Sequence, residues 1–281
     1  MTAAVLDRRA TTEDAPVVDR RVVRRRLGPG RKVPFSLVLG PTLLVGLWCL
    51  ASATGWLDPR TLSEPWVVIE TARDLIEDGR LQDALQTSAV RAFSGLALGI
   101  AAGTLLALVA GLSRLGESVI DGPIQIKRSI PTLALIPLLI LWLGINEEFK
   151  VLTIALGVMI PVYIHTHNGL RSIDGRYAEL AETVDVGRVE FIRTVVLPGA
   201  MPGFLLGLRF AVTTALLTLV VVEQWNTTTG IGHLITLAQG YGQTDVIVVG
   251  LVVYALLGLT ADSLVRLLER KVLTWRRTLG S

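Results

Sequence analysis

Two stretches, Gly203–Val222 and Val246–Val265, run for a full membrane thickness with Arg209 and Asp262 as their only charged residues. Runs of roughly 18–20 apolar residues match a bilayer core about 30 Å thick. Lipid offers the backbone no hydrogen-bond partners, so only helices and closed barrels can cross it. Barrel strands alternate apolar with polar residues, whereas these runs are continuously apolar, which selects helices. The expected fold class is therefore an all-α membrane protein. Composition agrees: 51% of the 281 residues are hydrophobic and 18% are charged, against about 25% charged in soluble domains. This argues against a soluble α/β enzyme.

The same criterion gives six spans: Phe35–Leu57, Ser88–Leu112, Ile130–Ile145, Phe149–Thr166, Gly203–Val222 and Val246–Val265. The third is short and carries Pro131 and Pro137. Between the first two, "LSEPWVVIETARDLIEDGRLQDAL" has helical apolar spacing and Pro65 at its start, and reads as a surface helix. The chain divides into a basic arm (1–34), a six-span domain (35–270) and a basic tail (271–281). A cleaved signal is disfavoured because the first apolar run is too long for a signal core and has no small-residue exit. Arg20, Arg21, Arg24 to Arg26, Arg31 and Lys32 precede the first span, and Arg266, Arg270, Lys271, Arg276 and Arg277 follow the last. The positive-inside rule puts both ends in the cytoplasm of a bacterial inner membrane, together with the loops around Arg114 and Arg171–Arg193.

Within the spans, Gly95, Gly99 and Gly103 repeat at four-residue spacing, which lets a second helix backbone approach. That neighbour is either another helix of this chain or a second copy. Arg209 lies inside an apolar run, where an ionised group is expensive. It is either an anion contact on a water-filled path or a side chain reaching the boundary. Glu223, at the outer end of the same run, is about 21 Å away along a helix and cannot pair with it there. Arg209, Glu223, Pro131 and Pro137 form the candidate translocation pathway. The segment "QWNTTTGIGHLI" after Glu223 reads as an outer lip or re-entrant turn. No P-loop, nucleophile elbow or zinc motif occurs. Cys49 stands alone, and His165 and His167 fall on different helix faces, so no metal site and no cofactor of this chain's own is expected. An acidic relay is also lacking, so uphill transport would draw its energy from another chain.

The amphipathic stretch "YAELAETVDVGRVEFIRTVVLPGAMPG" (Tyr177–Gly203) falls on the cytoplasmic side. Its spacing predicts a short helix over Ala178–Val184, a turn at Asp185–Gly187, and a second helix over Val189–Val196 ended by Leu197–Pro198. Such an elbow is either a docking site or a surface anchor. It resembles the "EAA" loop of ABC-importer permeases: E-A-A, three residues, G, nine residues, I, any residue, L-P. Glu179, Ala181, Val195, Leu197 and Pro198 fall on the pattern. Asp185 falls where the pattern has Gly, with Gly187 two residues later, so the turn is made by one or the other. "RSIPTLALIPLLILWLGI", "HNGLRSID", "LPGAMPGFLLGLRFA" and "VVVEQWNTTTGIGHLI" are similar to the nitrate, sulfonate and taurine branch of these permeases, over roughly residues 85–270.

The resemblance implies a type I ABC importer permease with a cytoplasmic coupling-helix elbow, paired into a dimer with the pathway at its interface. Glu179, Leu180, Ala181, Glu182, Asp185, Gly187, Leu197 and Pro198 would contact a cytoplasmic ABC ATPase, which would carry the ATP and Mg. An extracytoplasmic solute-binding protein would deliver the cargo. An aliphatic sulfonate or taurine ranks first as substrate, with nitrate or a thiamine-precursor pyrimidine behind. The rival class is a non-transporting receptor or scaffold subunit. Nothing suggests nucleic-acid binding.

Overall fold

The computed structural model describes residues 36–225 and 227–274, so the basic arm and the last tail residues fall outside the described region. The chain divides into two units, residues up to Leu47 and residues from Trp48 on. Helix α1 (Ser36–Ala53) runs across that division. It stops four residues before the expected end of the first span, where Thr54–Leu57 form a turn with Gly55 at φ 71°.

Within the second unit α2 (Pro65–Glu77) follows the turn; it is the expected surface helix, with Pro65 in its first turn. Gly79, at φ 76°, turns the chain into α3 (Arg80–Leu112). The last six residues of the predicted surface helix, Arg80 to Leu85, are thus the start of a long span. α4 (Arg114–Ser129) was not expected as a helix. Ser113 caps it by accepting a hydrogen bond from the Gly116 amide at 3.2 Å, which satisfies an otherwise orphaned N–H.

The expected third span differs most. A 3-10 turn (Thr132–Leu135) leads into α5 (Ile136–Leu143), which at eight residues is only about 12 Å long. α4 and this second piece meet at an 89° bend, the shape of a broken span or of a re-entrant loop. Pro131 sits at the bend, where it can donate no backbone hydrogen bond. Pro137, by contrast, lies in the first turn of α5, where a missing N–H costs nothing.

α6 (Glu147–Arg171) begins with Asn146 accepting from the Phe149 amide at 2.9 Å, and Glu147 and Glu148 complement the helix dipole. α7 (Arg176–Thr183) and α8 (Arg188–Phe191) make the elbow. A wide π-type turn (Ile192–Val196) then joins α9 (Leu197–Gln224). The expected break at Leu197–Pro198 is absent. The widened turn relieves the clash between the Pro198 ring and the carbonyl four residues earlier, so the helix continues through the proline. α10 (Ile231–Tyr241) and α11 (Thr244–Val272) complete the chain. Four helices (α3, α6, the α8–α9 rod and α11) are long and apolar enough to cross a membrane, five if the bent α4–α5 pair is one span, and α1 is apolar but shorter.

The core lies around α6. Ile154, Val158 and Val162 repeat every four residues and are fully buried, against Ala211, Ala215 and Leu219 of α9. The glycine ladder of α3 faces α6. A Cβ at Gly95 would lie 2.6 Å from Ile154, and one at Gly99 2.6 Å from the Ala155 carbonyl. One at Gly103 would lie 2.6 Å from the Met159 carbonyl. The ladder therefore serves packing within the chain. Gly203 does the same between α9 and α6, since its Cβ would meet the His165 carbonyl at 2.6 Å.

Candidate functional site

The elbow projects from the end of α6. Asp174 accepts hydrogen bonds from the Arg176 amide at 3.0 Å and from its guanidinium at 2.8 Å, which starts α7. The same guanidinium holds the Asp174 carboxyl below the ordinary carboxylate range. Tyr177, Leu180, Ala181 and Val184 then recur at helical spacing, yet no residue of α7 is buried. Tyr177 is 55%, Leu180 59% and Val184 62% exposed. Glu179 and Glu182 are exposed beside them.

The turn after α7 resolves the alternative left by the sequence. Asp185, with φ 56°, is the left-handed residue, while Gly187 has an ordinary φ of −63° and starts α8. The Val186 amide donates to the Ala181 carbonyl at 2.9 Å and the Asp185 amide to the Glu182 carbonyl at 3.3 Å. These are the two bonds of a Schellman helix end, with Asp185 at the position usually given to Gly. Asp is one of the few residues that enters this region at modest cost.

Beyond the turn the elbow is anchored. The Arg188 guanidinium donates to the Leu112 carbonyl at the end of α3, at 3.1 Å. Val196, Ala200 and Leu170 form a small core with Phe191 and Ile192 packed on it. Leu197 and Pro198 remain exposed at its edge. An open cleft of about 890 Å³ lies beside the elbow, lined by residues that include Asn168, Tyr177, Thr194, Pro198 and Pro202. One half of the elbow is therefore held by packing, while the apolar face of α7 has no partner among the described residues.

At the other end of the bundle is a charged network whose partners sequence reasoning did not connect. Arg91 of α3 is 2% exposed and Glu223 of α9 is fully buried, 2.9 Å apart. The Glu223 carboxylate also accepts from Ser88 at 2.8 Å, Tyr254 at 2.9 Å and the Gly232 amide at 3.0 Å. Arg91 makes a two-pronged pair with Glu147, both contacts at 2.6 Å, and donates to the Thr229 carbonyl at 2.8 Å. Gly230, at φ 109°, is needed here on two counts, because a Cβ would also lie 2.6 Å from Glu223 Oε1. The expected lip after Glu223 is thus α10, whose first amides are held by Glu223 and by Ser88. Glu223 is fully buried among these donors. The available signal was one arginine and one carboxylate, each near the same end of an apolar run.

Arg209 lies half-exposed on α9, its Nε 3.3 Å from Asp262 of α11, which also binds Arg266 at 2.6 Å. Among the described residues no group of His, Cys, Asp and Glu is arranged to hold a metal.

Four membrane-length helices, a sharply bent helix pair and a protruding elbow define a membrane permease of the type I ABC importer architecture. The chain belongs to the family of binding-protein-dependent transport system inner membrane components, which matches over residues 96–274. It is 42% identical over 245 residues to a protein of Escherichia coli K12 named as an aliphatic sulfonates transport permease, SsuC, covering 87% of this chain and 92% of that one. The Bacillus subtilis 168 protein of the same name is 36% identical over 263 residues, covering 94% and 95%. The E. coli K12 taurine transport system permease TauC is 29% identical over 250 residues, covering 87% and 90%. A solved amino acid ABC transporter, crystallised with histidines, shares the fold with TM-score 0.60 at 18% identity, covering 72% of this chain and 97% of that one. The chain is thus an ABC-importer permease, the non-catalytic membrane subunit, and ATP hydrolysis belongs to a partner.

Proposed function

We propose that this permease conducts an aliphatic sulfonate or taurine across the inner membrane, and that α7 is the helix through which its ATPase drives it. The names of the two sulfonate relatives carry the substrate reading. The unburied apolar face of α7, mounted on an anchored α8, carries the coupling reading. In this reading Glu179, Leu180, Ala181 and Glu182 enter a cleft on the ATPase, and Asp185 and Gly187 set the angle between the two elbow helices. Leu197 and Pro198 form the floor. The elbow and both termini face the cytoplasm, ATP and Mg sit on the ATPase, and two copies of the permease enclose the pathway. An extracytoplasmic binding protein supplies the solute.

Pro131 belongs to the pathway in this proposal because it marks the bend between α4 and α5, and Pro137 follows in the first turn of α5. Arg209 stays a pathway candidate in this reading, half-exposed and sharing the Asp262 carboxylate with Arg266. Glu223 acts at the outer end by holding α10. The experiment is co-purification with the ATPase and substrate-stimulated hydrolysis in proteoliposomes. Glu179→Lys is expected to abolish both while leaving the permease folded. Intact association and hydrolysis would remove α7 from the coupling interface.

A further inference from the structure

Charged side chains inside the apolar helices are expensive unless paired. Among the described residues, Arg91 is matched by Glu223 and Glu147, Lys150 by Glu147, and Arg209 by Asp262. Lys127 is not. It lies in the last turn of α4, half-buried, and takes part in none of the ion pairs of the described residues. Its Nζ donates to Thr132 Oγ1 at 2.7 Å, across the bend, and to the Leu156 carbonyl of α6 at 2.8 Å. An ammonium has three donors, so one remains.

The depth of this group matters. Leu156 is nine residues into α6, about 14 Å from its start, which is near the middle of a bilayer core. Lipid headgroup phosphates are out of reach there. Threonines line the neighbouring stretch of α6: a Cβ on Gly157 would lie 3.1 Å from the Thr218 hydroxyl and 3.3 Å and 3.9 Å from the methyl groups of Thr214 and Thr132. The negative end of the α4 dipole favours a cation at this position, but by only about 0.3–1 kcal/mol at an ordinary site. An intramembrane charge costs several times that.

We propose that Lys127, with the Thr132 hydroxyl, is an anion contact on the translocation pathway, at the bend between α4 and α5. A sulfonate-class oxyanion supplies the negative charge that the described residues do not. Its oxygens take the free ammonium donor and can exchange for the Leu156 carbonyl or the Thr132 hydroxyl. This deepens the sulfonate reading above and rests on it for the identity of the cargo.

The test uses the full transporter, permease with its ATPase and binding protein, in proteoliposomes. Uptake of radiolabelled ethanesulfonate by the wild type tests the cargo alone, and its absence would sink the sulfonate reading. Lys127→Met and Lys127→Arg test the site. A charge-assisted hydrogen bond corresponds to about tenfold or more in rate, so Lys127→Met should lose at least that much uptake, with Lys127→Arg retaining most of it. Uptake by Lys127→Met at the wild-type rate would overturn the site. A wild-type measurement guards against misfolding of the variants. A membrane-permeant amine reagent labels Lys127, read by peptide mass spectrometry, in the presence of ethanesulfonate, nitrate or a neutral aminopyrimidine. Slower labelling with an anion, and not with the neutral compound, supports the proposal. Labelling unchanged by every anion overturns it, whatever the cargo proves to be.

Discussion

Replacing Glu223 by alanine removes a carboxylate that Ser88, Arg91, Gly232 and Tyr254 all donate to. Breaking one side of a buried ion pair costs about 3–5 kcal/mol, because the remaining charge keeps its desolvation penalty. Here Arg91 retains its two-pronged contact with Glu147, so the lower end of that range applies. At about 2 °C per kcal/mol for a chain of this size, the unfolding midpoint in mild detergent should fall by about 6 °C. Glu223→Gln keeps the shape and loses the charge, and should fall between wild type and alanine. Removing Arg91 as well, in Arg91→Met/Glu223→Ala, should recover part of the loss, since no charge is then left stranded beside Glu223. A drop of less than about 2 °C for Glu223→Ala would refute the view that this network holds α3, α9 and α10 together.

Asp185→Gly should keep the elbow intact, whereas Asp185→Val should destabilise the left-handed turn by about 1–2 kcal/mol, seen as faster hydrogen exchange at the Val184 and Val186 amides. Gly99→Val should lower thermal stability by about 1–3 kcal/mol or more, because the Ala155 carbonyl it would strike is backbone and cannot rotate away. Gly122→Ala in α4, where nothing lies within 4 Å, is the matched control and should be neutral or stabilising by about 0.5–1 kcal/mol in the same melt.

The elbow shows where legibility ended. The spacing of Tyr177, Leu180 and Val184 gave α7 to within two residues, because a local amphipathic pattern needs no tertiary context. Whether Asp185 or Gly187 made the turn depended on one backbone angle that both residues tolerate. α4 escaped notice because its charged residues and internal Gly122 and Pro123 read as a connecting loop. The continuity of α8 into α9 escaped notice because a proline ordinarily ends a helix, and only the widened turn before it removes the clash.

The sequence alone determined that the chain crosses a membrane by helices, since the length of its apolar runs leaves the backbone no other way to satisfy itself. It also marked the elbow, the proline-rich third segment and a close-packing glycine face, which are local patterns in one dimension. Only the tertiary structure decided what these meet. Gly95, Gly99 and Gly103 turned out to pack on α6. Arg91 and Glu223, 132 residues apart, became one buried pair. Lys127 was left as a half-buried cation without a carboxylate partner among the described residues. Periodicity fixes which face a side chain shares with its neighbours along the helix, but charge compensation inside a bilayer is settled between helices distant in sequence, and only their packing reveals it.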